Sequence, residues 1–478
     1  MTAYPDTLLL INGTWREGST AERIAVLNPA TEEVIGHVAK ATTDDLDAVA
    51  QAAHEGFQIW KATSAHERGK LMRKAAQLLR DRRDAIAPLM TMEQGKPLAQ
   101  AQAEIDGSAD ILDWFAEEAR RAYGQTIPAR APNVMQITIK DPVGPVAAFT
   151  PWNFPISQVV RKLGAALAAG CSIVVKAPEE TPASPAALMQ CFLDAGVPAG
   201  VVNLVYGIPA QISEHLTAAP QIAKISFTGS TAVGKHLAGL AGRHMKRSTM
   251  ELGGHSPVLV FQDADIEATA ALMAASKIRN SGQVCVSPTR FLIEAPVADR
   301  FTQAFKAVAE KVKIGNGLDP EVQMGPLANE RRIPAMERMI EEALSKGARL
   351  VSGGRRIGNK GWFFEPTILA DVPTSAEIMN EEPFGPVVII NRFTSTDEAL
   401  AEANRLRYGL AAYAFTTSSA TAARLRAEVR SGMLTINHLG LALPEVPFGG
   451  IGDSGYGTEG GSGAIEAYLD TRFVTQAL

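Results

Sequence analysis

The sequence predicts an α/β protein, a doubly wound parallel sheet followed by a second α/β unit. From Val146 to Phe261, strand-like runs (VAAFT, SIVVK, VVNLVY, KISFTG, SPVLVF) alternate with segments of helical period. That is the order of parallel strands joined by crossover helices. Residues 292 to 440 repeat the alternation less regularly, which argues for a second sheet. The chain has 478 residues, 46% hydrophobic and 20% charged, enough to bury large cores over roughly three domains without staples.

Residues 8 to 40 read as short strands and turns, punctuated by Asn12-Gly13 and Asn28-Pro29. The leading MTAYPDTLLLING lacks a basic region followed by a long apolar core, so no signal peptide is expected. No apolar run reaches the roughly 20 residues a membrane helix needs, and a cytoplasmic, non-membrane protein is expected. Thr42 and Asp45 have capping-box spacing and start a helix that keeps its period to Trp60. Further scaffold helices are predicted over Glu67–Glu93, stopped by Gly95 and Pro97, and over Leu98–Ala122.

At Val134–Lys140 the period changes to two, the pattern of a strand with one wet face. Ligands of doubly wound sheets sit beyond the carboxyl ends of the strands. The loops Thr150–Pro155, Lys176–Glu180 and Thr228–Gly234 are therefore the ones to watch. Past a Gly-rich segment, Gly449–Gly463, a last strand is predicted over Arg472–Gln476. A net charge of −5 with mixed signs gives no nucleic-acid footprint. Three cysteines cannot all pair, and no zinc spacing or other metal motif is present, which fits a reducing compartment.

Chemistry concentrates at four places. Cys285 follows the Ser281-Gly282-Gln283 turn, where a helix over Asp265–Ile278 gives way to loop. Such a thiol reads as a nucleophile if nearby donors or cations lower its pKa, and otherwise as a small buried hydrophobe. Phe227–Lys235, FTGSTAVGK, runs from strand into helix and offers free N–H groups to a phosphate. It is not a magnesium–phosphate loop, because His236 stands where Ser or Thr is required. Glu251 precedes Gly253-Gly254, and a carboxylate in an apolar cleft serves as a general base, whereas a capping or salt-bridged glutamate is the plainer alternative. In TPWNFP two prolines fix Trp152 and Asn153, so a rigid amide donor stands at a strand end, as an oxyanion requires.

The set TPWNFP, KAPEETP, FTGSTAVG, MELGGHSP, SGQVC and EEPFGPV, in this order, resembles the aldehyde dehydrogenase superfamily over nearly the whole chain. Within it the likeness is greatest to succinate-semialdehyde and related semialdehyde dehydrogenases. The resemblance implies a Rossmann-like NAD-binding domain (residues 1–122 and 142–252), a catalytic domain (253–448) and a small β oligomerisation arm (123–141 and 449–478). It makes Cys285 the nucleophile, Asn153 with the Cys285 N–H the oxyanion donors, and Glu251 the base that releases the acid. Branches that pass the acyl group to coenzyme A typically lack this glutamate.

For the cofactor, the resemblance places Lys176 and Glu179 at the adenosine ribose and Gly229 and Ser230 near the pyrophosphate. Leu252 joins this set, Glu382 goes to the nicotinamide ribose, and Trp152 and Phe384 lie along the nicotinamide. A carboxylate at Glu179 repels a 2′-phosphate, so NAD is expected in preference to NADP, with NADP as the alternative. Arg161 and Arg279 match arginines that hold a distal carboxylate, with structural ion pairs as the other reading. The serine that relatives place before PFGG is replaced by Ala442-Leu443-Pro444, which leaves longer substrates such as 2-oxoglutarate semialdehyde open. Ser287 stands where some relatives carry a redox-switch cysteine, and Cys171 and Cys191 are expected to be inert core. The expected partners are a small-molecule aldehyde and further copies of the chain in a homodimer or homotetramer. Rival readings are a dehydrogenase for aminoaldehydes or uncharged aldehydes, and an inactive binding or structural homologue.

Overall fold

A computed structural model describes residues 3–478. Two large sheets dominate it. In the first, the central strands Val202–Val205, Ile173–Lys176, Val146–Phe149, Lys224–Thr228 and Arg247–Glu251 lie side by side and parallel. Antiparallel strands close its edges: Leu9–Ile11 with Thr14–Arg16 on one side, Gly455–Tyr456 on the other. Helices cover both faces, so the inner strands are buried throughout and are apolar at nearly every position.

Register aligns the strand ends. Phe149 pairs with Lys176 and with Phe227, and Thr228 pairs with Glu251. The segments that follow, carrying Thr150–Pro155, Gly229 and Leu252, therefore leave the sheet in one row.

The second sheet orders Arg349–Ser352, Thr367–Ala370, Val387–Phe393, Pro288–Glu294, Ser256–Val260, Ala411–Phe415 and Met433–Ile436, all parallel except the first. Alternate residues serve opposite cores: Val258 and Val260 pack with Phe291 and Phe301, Leu259 and Phe261 with Phe393 and Leu400. Ser256–Val260, read in sequence as the last strand of the first alternating run, sits instead in the middle of this sheet. Gly253-Gly254 let the chain cross. A Cβ on Gly254 would lie 2.7 Å from the Cys285 carbonyl oxygen, and one on Gly253 2.7 Å from Glu382 Oε2.

Thr42 caps the helix Thr43–Ala62 with the full reciprocal box to Asp45. The helix expected over Glu67–Glu93 is two, Ala65–Asp81 and Arg83–Gln94, broken at Arg82 and ended by Gly95 in the left-handed region. Ile266–Ile278 forms as expected, with Asp265 as its cap and Ile266, Ala270, Met273 and Ile278 all buried.

A three-stranded arm joins Gln125–Ile127, Val134–Pro142 and Leu469–Ala477, all antiparallel. All nine residues of Val134–Pro142 are half-buried, so the predicted dry and wet faces do not separate. The cause is geometric: a thin sheet covered only in part on either face has no dry side. Among the described residues no helix is long and apolar enough to cross a membrane.

Candidate active site

Cys285 borders a cavity of about 460 Å³ together with Trp152, Asn153, Gly229, Ser230, Leu252, Glu382 and Phe384. It lies where strand ends of the first sheet meet strand beginnings of the second, since Cys285 stands just before Pro288–Glu294. A second groove of about 720 Å³ continues from it past Trp152 and Gly229 to Lys176 and Glu179. Eight predicted positions thus share one cavity, and two more line the adjoining groove. Glu251, Arg161 and Arg279 border neither.

The loop before the thiol is tightly held. Asn280, Ser281 and Gly282 run consecutively in the left-handed region, with φ of 49°, 54° and 71°. Two non-glycine residues there store strain that other contacts must offset. Gln94 donates to Asn280 Oδ1 (2.9 Å), Gln100 Oε1 accepts the Asn280 N–H (2.9 Å), and the Ser281 hydroxyl donates to Gly325 O (2.8 Å).

The same network fixes Asn153. Its carbonyl accepts from Lys96 Nζ (2.8 Å) and Asn280 Nδ2 (2.9 Å), while its own Nδ2 donates to Gln283 O (3.0 Å). That bond sets which end of the amide is nitrogen and leaves its second N–H unspent. Lys96 in turn pairs with Glu104, whose Oε1 accepts the N–H groups of Ile156 and Ser157 (3.0 and 3.1 Å).

Electrostatically the cavity is acidic. Burial, then the charges of Glu382 and Glu251, push the Cys285 thiol up to about 12, against Arg161 and the Val286 N–H. Cations do not prevail here, contrary to what an activated cysteine requires, because burial and then two carboxylates outweigh the one arginine. Burial raises Glu382 to about 8, opposed by the Gly254 N–H, Arg332 and Lys277. Glu251 is also driven well above the usual carboxylate range, by burial and then by Glu459, with Lys162 and Arg161 opposing. Both Glu251 oxygens are buried and find no hydrogen-bond partner among the described residues.

Trp152 and Phe384 meet edge to face, with centroids 5.6 Å apart. Lys176 and Glu179 pair at 2.6 Å, and Glu179 also accepts the Gly207 N–H at 3.1 Å. Ser230 caps the helix Thr231–Arg243, and the Gly229 N–H donates to Glu251 O at 3.1 Å. Lys235, from the failed phosphate-loop pattern, pairs with Asp453 at 2.9 Å.

Along nearly its whole length the sequence matches one family. A model of the aldehyde dehydrogenase family matches residues 15–474. The chain belongs to the aldehyde dehydrogenase family. It is 48% identical to 4-(hydroxymethyl)benzenesulfonate dehydrogenase of Comamonas testosteroni, over 98% of this chain and 97% of that one. Identity to the NADP(+) succinate-semialdehyde dehydrogenase of Escherichia coli is 42%, covering 97% and 96%. The crystal structure of succinate-semialdehyde dehydrogenase from Burkholderia pseudomallei superposes with a TM-score of 0.97 at 39% identity, covering 99% and 98%. The protein is an NAD(P)-dependent aldehyde dehydrogenase.

As an aldehyde dehydrogenase it places the two arginines unequally. Arg161 is 5% exposed, donates to the carbonyls of Glu459 (2.8 Å) and Ala442 (3.0 Å), and stacks on Phe448 at 4.5 Å. Its charge is felt by both Glu251 and Cys285. Arg279 is exposed, lies 5.1 Å from the Phe154 ring centre, and borders a separate cleft with Gln100 and Lys311. Cys171 and Cys191 are fully buried and each pushed up to about 11 by burial. Ser287 accepts from the buried Lys277 at 3.2 Å.

Sequence reasoning missed Lys96, Glu104, Asn280, Glu459 and Gln158. Gln158 is 6% exposed and lines the cavity of Cys285. Helix spacing from Arg161 could have found it. Nothing local marks Glu459, which pairs with Lys162 from 297 residues further along the chain.

Proposed function

We propose that the chain oxidises a small aldehyde bearing a distal anion, a carboxylated semialdehyde such as succinate semialdehyde, to its acid, with NAD preferred to NADP. Cys285 attacks the aldehyde carbon, and the free N–H of the Asn153 amide, with the Cys285 main-chain N–H, takes the oxygen as it becomes anionic. A bound nicotinamide supplies the hydride acceptor, with Trp152, Glu382, Phe384 and Leu252 lining its end and Lys176, Glu179, Gly229 and Ser230 the rest. Glu251, once ionised, takes a proton from the water that hydrolyses the Cys285 thioester. Its raised pKa makes this step speed up with rising pH, since only the carboxylate accepts a proton.

The observation that carries the substrate reading is Arg161, a guanidinium buried within reach of the charges of Cys285 and Glu251. With two of its donors on main-chain carbonyls, further N–H groups remain for a substrate oxyanion that reaches past the cavity lining, which Arg161 does not itself border. The relatives' names support an anion and divide over which: succinate semialdehyde is a carboxylate, 4-(hydroxymethyl)benzenesulfonate a sulfonate. A sulfonated aldehyde is therefore the second reading, and 2-oxoglutarate semialdehyde the third. Arg279 joins the substrate site only if its side chain leaves Phe154. Steady-state kinetics over aldehydes of increasing length, uncharged, carboxylated or sulfonated, tests this. A kcat/KM at least tenfold higher for the anionic member of each matched pair is expected, and equal values would sink the reading.

Glu179 supports NAD. Its carboxylate would repel a 2′-phosphate brought beside it, although its charge is shared with Lys176. A higher kcat/KM with NADP than with NAD would overturn this preference. The arm supports a homodimer or homotetramer: Gln125–Ile127 and Leu469–Ala477 each leave one edge unpaired, and Phe473 is 54% exposed.

A further inference from the structure

The two cavities meet at a waist formed by Pro151, Trp152, Thr228 and Gly229, and Arg331 borders both of them. Arg331 comes from the second sheet unit, one residue before the helix Arg332–Ser345. It crosses to the first unit to pair with Glu180 at 2.9 Å, on the loop after Ile173–Lys176. The Arg331 side chain is 74% exposed and that of Glu180 31%. A pair so open to solvent contributes little to stability, so breaking it costs little.

Other cations along the groove are committed. Lys176 is paired with Glu179 at 2.6 Å, and Arg332 donates to the carbonyls of Pro383 and Phe384. Of these three, Arg331 alone borders both cavities. Gly229, which also borders both, comes just before the helix Thr231–Arg243, whose first N–H groups favour an anion. Two linked phosphates carry more charge than one helix end neutralises, and a guanidinium fork suits phosphate oxygens.

We propose that Arg331 binds the pyrophosphate of the dinucleotide, leaving Glu180 as it does so, and that Glu180 acts as an internal competitor which weakens cofactor binding. This rests on the cofactor lying in the joined grooves. The arginine then closes the waist from the catalytic side, and its return to Glu180 assists release.

Binding of NADH, followed by its fluorescence, and of ADP-ribose and adenosine, followed by NADH displacement, tests this on the intact protein. Arg331→Met should weaken NADH and ADP-ribose about tenfold, as loss of one charged hydrogen bond does, with adenosine unchanged. Glu180→Gln should do the opposite and tighten ADP-ribose a few-fold. The double variant should match Arg331→Met alone. Wild-type affinity in Arg331→Met would overturn the assignment alone. So would weaker binding in Glu180→Gln, which would make the pair a structural clasp, or a loss confined to 2′-phosphorylated ADP-ribose. Failure of the unmodified chain to bind NADH would remove the groove as cofactor site and the assignment with it.

Discussion

Asn153 and Glu251, the two groups proposed to act with Cys285, are built in opposite ways. Asn153 is tied at its main-chain oxygen by Lys96 and Asn280 and at its amide by Gln283. Glu251 ends a strand of the same sheet, yet both its carboxylate oxygens are buried without a partner among the described residues. Beside it, Glu459 Oε2 is likewise unpartnered. A donor that stabilises charge works best when it need not reorganise. A base must take a proton and give it up, and hydrogen bonds to its charged form would lower its pKa and blunt it. Fixed on one side and untied on the other is what a two-stage reaction at one thiol requires.

The sharpest way to break the comparison is to remove the thiol and the untied carboxylate separately. Cys285→Ala should abolish NADH formation. Glu251→Gln should leave the first stage intact, a burst of NADH near one per site, then a steady rate lower by about 10²–10⁴-fold. Stopped-flow absorbance separates the two. Equal steady rates for wild type and Glu251→Gln would strip Glu251 of its role.

The rigid side should fail differently. Asn153→Ala should lower kcat about 10²–10³-fold and shrink the burst rate itself, because the oxyanion forms before hydride leaves. Lys96→Met tests whether rigidity matters apart from the amide. It breaks a fully buried pair while Glu104 keeps two N–H donors. Removing one partner of such a pair costs about 3–5 kcal/mol, and a lower Tm with a roughly tenfold slower burst is expected. A lower Tm with an unchanged burst would make Lys96 purely structural.

This contrast also marks what the sequence could tell. Parallel strands announce themselves, because burial on both faces forces continuous apolar runs, and TPWNFP and SGQVC carry their chemistry in a few adjacent letters. Asn153 and Cys285 were legible for that reason. The supports were not: Lys96 and Glu104 lie on a segment read as scaffold, and their meaning arises only when Gln94–Glu104 packs under both loops. The crossover at Gly253-Gly254 was hidden from the strand pattern, since an apolar strand reads alike in either sheet, and only the family resemblance drew a boundary there. Arg279 shows the converse. Its spacing from Cys285 is right, but the left-handed turn at Asn280–Gly282 reverses the chain after it, and the side chain emerges over Phe154 outside the cavity.

The smallest expected effect probes the rigid side's electrostatics. Glu382 lies where a Cβ on Gly253 would touch its Oε2, and it accepts the Gly254 N–H, so its charge stands at a set distance from the thiol. After burial it is the largest cause holding Cys285 up at about 12. An anion disfavours a second anion, so Glu382→Gln should lower the thiol pKa and raise the thiolate fraction wherever Glu382 is ionised in the wild type. Iodoacetamide alkylation at pH 9, where a carboxyl of pKa about 8 is ionised, should then run about three- to tenfold faster in the variant. At pH 6.5 Glu382 is protonated in the wild type, and the two proteins should alkylate alike. Slower alkylation of the variant at pH 9 would mean that Glu382 helps ionise Cys285, and the acidic wall around the thiol would need another purpose.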